Sequence, residues 1–231
     1  MSDSSHMADV LGLRPGETVE EWCLRTFGPP VEARAEETPA PTQTQSPRLR
    51  RASATLERSI PPALRWCHLD VPELPARVYG PAIAEARGAC QEDRVCLMGA
   101  TRAGKTSLAV AMLRAWVARS ERSALFVHAY RLGVARIQHP AGHGEAPLVE
   151  AAMRAPLVLL DDLGSERDIA TSPLADVIFE RHAQDLPTWA TTGLTREPLA
   201  ARYGAGVVAR LFERARVIQV GPKSGPSQKT T

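Results

Sequence analysis

The segment Gly99-Ala100-Thr101-Arg102-Ala103-Gly104-Lys105-Thr106 constrains this chain more than any other. It fits GxxxxGK(S/T) in full, follows a short apolar run at Val95–Met98, and opens a helical pattern with Leu108, Ala111, Met112 and Trp116 on one face. Glycines at both ends let the backbone wrap closely, so that amide N–H groups and the helix N-terminus face phosphate oxygens. In that arrangement residues Gly99 through Ser107 form the cradle, Lys105 reaches the β and γ phosphates, and the Thr106 hydroxyl meets Mg²⁺. The alternative is a chance glycine turn, and a random match in a chain of this length is expected roughly once in a hundred. Lysine is also scarce. Lys105, Lys223 and Lys229 are the only three among 28 basic residues, so a lysine kept at this interior position calls for a chemical reason.

The surrounding pattern is α/β. Strands are expected at Val95–Met98, Ala124–His128, Leu157–Leu160, Thr188–Thr192 and Val217–Val220. Helical patterns fall at Leu132–Ile137, Leu148–Ala155, Leu174–Gln184 and Val207–Arg214, with a loop over residues 138–147. Buried strands alternating with helices predict a parallel sheet covered on both faces.

Before residue 60 the chain has another character. Residues 29–58 carry Pro29, Pro30, Pro39, Pro41 and Pro47 with few large apolar groups, and read as a disordered linker. Arg48, Arg50, Arg51 and Arg58 make its second half basic, which fits a solvated tether better than a phosphate-binding patch. Within residues 1–28, Met1–Met7 resembles a tag remnant, and Val19, Trp22, Cys23 and Phe27 share one face of a short helical pattern. An isolated helix that short is marginal in water, so it either packs on the main domain or docks on a partner, and the tether that separates it from the core favours docking.

Composition narrows the classes. A net charge of +2 does not indicate a wholesale coat for a polyanion. No apolar run approaches the ~18 residues of a membrane span, and no secretory leader is visible. Cys23, Cys67, Cys90 and Cys96 form no CxxC pair, which fits free thiols in a reducing cytoplasm. His68, His128, His139, His143 and His182 show no metal-ligand spacing, and Trp66, Trp116 and Trp189 read as core or rim residues.

Three further segments bear on chemistry. Leu157-Val158-Leu159-Leu160-Asp161-Asp162 sets two carboxylates at the end of a buried strand, which places Asp161 on Mg²⁺ and Asp162 on an attacking water. Thr192, at another strand end, is a candidate to hold that water, although a strand end meeting a turn explains it almost as well. Arg210 is either a surface cation or an arginine finger, a group that stabilises charge developing during phosphoryl transfer. The basic excess after Thr195 fits either nucleic-acid backbone contact or solvated arginines.

In order along the chain stand GATRAGKTSLA, LVLLDDLG, Phe179-Glu180-Arg181-His182, ATTGLT, Tyr203-Gly204 and Val208-Ala209-Arg210-Leu211. This set resembles the AAA+ ATPases that comprise DnaC-like replicative helicase loaders and IstB-like transposition helpers, over about residues 59–222. The resemblance implies a P-loop NTPase of the RecA/AAA+ type with ATP and Mg²⁺ and no substantial C-terminal lid; the N-terminal extension and the tail (223–231), which lie outside it, are expected to be flexible. It also implies self-association through Arg210 in trans on DNA, single-stranded in the replication setting. The N-terminal region would engage a replicative helicase or a transposase. Three departures stand out: Gly193 replaces the usual sensor asparagine, Lys223 stands near an expected arginine, and His182 replaces a tyrosine. Slow hydrolysis is therefore expected, and a nucleotide-binding adaptor with negligible catalysis is the alternative from a different class. A small-molecule kinase fits less well, because no phosphoacceptor pocket is recognisable.

Overall fold

The computed structural model describes residues 46–166 and 173–221. Expectations for residues 1–45, including the helical pattern at Val19–Phe27, and for residues 222–231, including Lys223, lie outside the described residues.

Five strands form one sheet: β1 (Arg94–Met98), β2 (Ala124–His128), β3 (Leu157–Leu163), β4 (Thr188–Thr192) and β5 (Arg216–Gln219). Their order is β2-β3-β4-β1-β5 and every pairing is parallel. Side chains alternate between the two faces, as the pleat requires. Val95, Leu97, Leu157, Leu159 and Trp189 enter one apolar cluster, while Cys96, Met98, Val158, Leu160 and Ala190 enter the other. Both faces are therefore buried, as a parallel sheet needs.

The first face is covered by α4 (Lys105–Ser120) and α3 (Gly80–Ala89), with the short α2 (Leu74–Arg77) before them. The second is covered by α5 (Ala129–Gln138), α6 (Pro147–Arg154), α7 (Leu174–Ala183), α8 (Arg196–Tyr203) and α9 (Ala205–Phe212). Among the described residues no element follows β5, and no helix is long and apolar enough to cross a membrane.

One domain expectation is corrected. Residues 47–58 are not part of a disordered linker: Pro47–Ser59 is a 13-residue helix, α1. The cause lies in α4, which buries Leu108 through Leu113 without interruption, together with Trp116 and Val117. A helix apolar all round needs cover on its outer side as well as against the sheet. Helix α1 supplies it with Ala52 and Leu56, while its arginines Arg48, Arg50, Arg51 and Arg58 face solvent. Ser46 caps it by accepting from Leu49 N at 3.0 Å, and Pro47 occupies its first turn, where a missing N–H costs nothing. The Ser59 hydroxyl accepts from Phe126 N at 3.1 Å, which satisfies an outward-facing donor of edge strand β2.

A second unanticipated feature is Arg181 of α7, which is fully buried. Its guanidinium donates to the carbonyls of Ala152 and Ala155 at 2.8 Å each, and to Met153, Pro187 and the Thr188 hydroxyl. Burial lowers its ionisation to about 10, so it stays charged at neutral pH. The end of α6 and the turn before β4 are thereby held to one cation.

Leu56→Ala is expected to lower the unfolding free energy by about 2–5 kcal/mol in urea titration. A change within experimental error would show that α1 is no part of the cooperative unit.

Candidate functional site

Strand β1 lies between β4 and β5, so the chain reverses its lateral direction beside it, and ligand crevices in open α/β sheets form at such points. The loop from Gly99 to Gly104 leaves β1 here and turns into α4. Two glycines are sterically required. A Cβ on Gly99 would lie 2.1 Å from the Val220 carbonyl oxygen, and one on Gly104 would lie 2.6 Å from the Arg77 carbonyl oxygen. Gly104 also has φ +88, the left-handed region that side chains disfavour, and Arg102 holds φ +65.

The loop borders a cavity of about 730 Å³. Ala76 and Arg77 form one wall; Thr101, Arg102, Gly104, Lys105, Thr106 and Ser107 form the base; His128, Asp161 and Asp162 form the far wall. The α4 N-terminus has no side-chain cap, so its first N–H groups offer an anion site. Lys105 is only 8% exposed and donates through Nζ to the carbonyls of Gly99 at 2.9 Å and Ala100 at 2.8 Å. Burial lowers its pKa, opposed by the negative charges of Asp162 and Asp161. Ala103 is turned the other way, against the apolar cluster under the loop.

Asp161 is 1% exposed and is met from three directions. Its Oδ1 accepts from the Thr106 hydroxyl at 2.9 Å and the Thr191 hydroxyl at 2.7 Å, while Oδ2 lies 2.9 Å from His128 Nδ1. A β-bulge between Leu160 and Leu163 separates the two carboxylates. Asp161 keeps its register opposite His128, whereas Asp162 adopts φ +60 and is exposed at the cavity. The Asp162 N–H is held by the Thr191 hydroxyl at 2.9 Å.

Thr192 does not line the cavity. Its hydroxyl is fully buried, donates to the Leu163 carbonyl at 2.9 Å and accepts from Leu194 N at 3.0 Å. With its only proton committed to a backbone carbonyl inside the second core, it cannot orient a water at the cavity. Its neighbour Thr191 points to the opposite face of β4 and takes the place beside Asp161. Arg210 is not among the cavity residues. It lies on α9 with its Cζ 4.6 Å from the centre of the Phe179 ring.

Thr191, His128 and Arg77 are the site residues that the sequence reading missed. A usable signal existed for His128, the last residue of a strand expected to lie in the same sheet as the Asp161 strand. For Thr191 the parity of β4 decides, and parity is set by packing that the sequence does not display.

Sheet order and loop geometry together give the chain the fold of P-loop NTPases of the AAA+ type. A DnaC helicase loader superposes with a TM-score of 0.59 at 21% identity, over 70% of this chain and all of that one. DnaI gives 0.55 at 22% over 72% and 93% of the two chains, and a primosome component of Streptococcus pyogenes serotype M3 gives 0.57 at 21% over 73% and 96%. DnaA bound to AMPPCP and single-stranded DNA gives 0.53 at 15%, over 68% of this chain and 50% of that one. No protein-family profile and no curated protein matches the sequence. The chain thus has the fold of the DnaC-like AAA+ ATPases.

Thr191→Val is expected to weaken Mg²⁺-dependent binding of a fluorescent ATP analogue by about tenfold, as loss of a group orienting a metal ligand does. Thr192→Val should leave that affinity unchanged. Equal effects at the two positions would refute the assignment of Thr191.

Proposed function

We propose that this chain binds ATP with Mg²⁺ in the cavity beside the Gly99–Ser107 loop and hydrolyses it slowly. In this reading it assembles with its own copies on single-stranded DNA and loads a replicative helicase. The observation that carries the reading is the contact between Thr106 and Asp161 at 2.9 Å, at the foot of an uncapped 16-residue helix and beside Lys105. A hydroxyl and a carboxylate oxygen sharing one point form a hard donor pair of the kind Mg²⁺ takes. The residues present fit the nucleotide and its metal.

Thr106 and Asp161 would hold the cation, with Thr191 and His128 fixing the carboxylate. Lys105 would leave two backbone carbonyls for the phosphates, exchanging neutral acceptors for anionic ones. Bound ATP with its metal supplies a phosphoryl group open to attack by water. Asp162, exposed at the same cavity, would orient that water and take its proton. Arg210, which does not line its own chain's cavity, would act on a neighbour's nucleotide. The role of residues 1–28 in contacting the helicase belongs to the same proposal. The loader reading is preferred to a transposase-recruiting one because solved proteins with this fold include a helicase loader and DnaI.

Gly193 favours a second reading, a nucleotide-binding adaptor with negligible catalysis. A Cβ there would meet only the Gly99 carbonyl oxygen, at 3.8 Å, so the position has room for the missing amide. Gly193→Asn should raise steady-state ATP turnover several-fold if a water contact has been lost. Unchanged turnover would argue against damaged chemistry.

Lys105→Ala should abolish ATP binding by calorimetry, and the wild-type chain should self-associate with ATP and bind an oligonucleotide at low salt. Low salt is the sensitive condition because phosphate contacts weaken as counterions compete. Mixing Lys105→Ala with Arg210→Ala chains should recover turnover that neither shows alone, because one supplies the arginine and the other an intact cavity. Absence of both ATP-dependent association and DNA binding would overturn the proposal.

A further inference from the structure

Among the described residues, Tyr79, Tyr130, Val134, Ile137 and Phe179 are the large apolar side chains left exposed. Phe179, 41% exposed on α7, carries a guanidinium on its face: Arg210 Cζ stands 4.6 Å from the ring centre. Arg210 Nη1 donates to the Gly206 carbonyl at 3.0 Å, one turn earlier in α9. A Cβ on Gly206 would lie 3.5 Å from that nitrogen and 3.9 Å from Phe179 Cζ, so the pair rests directly on the α9 backbone. A ring beneath and a carbonyl at one edge leave the Nε and Nη2 edge of the fork without an ion-pair or hydrogen-bond partner among the described residues.

Packing does not account for this arrangement. The apolar contacts that seat α7 and α9 come from Val177, Ile178, Val207, Val208 and Leu211, all buried. Arg181, on the same helix, spends its guanidinium on five inward acceptors, whereas Arg210 spends one N–H on its own helix. A long cationic side chain ordinarily samples many rotamers and loses that freedom on contact. Stacking on an aromatic face fixes the plane beforehand and keeps the donors at the rim available.

We propose that Phe179 is the positioning residue for Arg210. Its ring presents the guanidinium edge-outward to the phosphates of a nucleotide held by a second copy of this chain. The inference rests on the trans role of Arg210 proposed above, and deepens it by naming the group that prepares the arginine. Preorganisation of this kind acts on the step in which charge develops, and leaves a copy's own cavity untouched.

The test compares full-length wild type, Phe179→Leu, Phe179→Tyr and Arg210→Ala, each saturated with a single-stranded oligonucleotide at low salt. Phe179→Leu removes the π face while keeping an apolar side chain; it should lower kcat by about two- to fivefold with KM for ATP unchanged. Phe179→Tyr keeps the face and should retain the wild-type kcat. Phe179→Gln gives the same comparison if the leucine variant aggregates. If Arg210→Ala turns over like wild type, the trans-finger reading itself falls. If Arg210→Ala collapses turnover while Phe179→Leu does not change it, or Phe179→Tyr falls as far as Phe179→Leu, the finger stands and the role of Phe179 is overturned.

Discussion

Everything at the cavity depends on satisfying one buried carboxylate. An ionised group as enclosed as Asp161 is costly unless its lone pairs are met, and three side chains meet them here. The partners come from α4, β4 and β2, while Asp161 itself belongs to β3. A single charge thus knits three adjacent strands to the helix that follows the loop. The order β2-β3-β4 is what allows donors from both flanking strands to converge on it. The Thr191 hydroxyl serves twice, donating to Asp161 and accepting from Asp162 N, so it also steadies the bulge that turns the second carboxylate outward. Such coupling is cooperative, and a change at one donor is felt by the other two.

Much of this arrangement was legible in the chain. Buried strands alternating with helices predicted the parallel sheet, the loop pattern after an apolar run predicted the helix that follows it, and β2 and β4 fall on their expected ranges. The unread parts share a physical cause, because they are set by neighbours distant in sequence. Helix α1 reads as polar, proline-bearing and basic until the apolar stretch of α4 from Leu108 to Leu113 is seen to need an outer cover. Helix α8 buries only Leu199, too little to register as a periodic stripe. Thr191 and Thr192 are adjacent and chemically identical, and only strand parity sends one to the carboxylate and the other to a core carbonyl.

Two of the buried cations, Arg181 and Lys105, show how differently a charge is accommodated. Among the described residues Arg181 meets no carboxylate; backbone carbonyls at a helix end and a turn receive it. Lys105 rests on only two carbonyls and faces open space, which suits a group that must exchange partners.

The hydroxyl of Ser59 on the outer rim of β2 has a wider consequence. A bare rim invites another strand to lengthen the sheet, a common route to uncontrolled aggregation. Here the outward amide of Phe126 is already taken, and the opposite rim, β5, is short and tied to α3 through Arg216 and Glu85. Both rims are thus partly occupied, which disfavours extension of the sheet by a further strand.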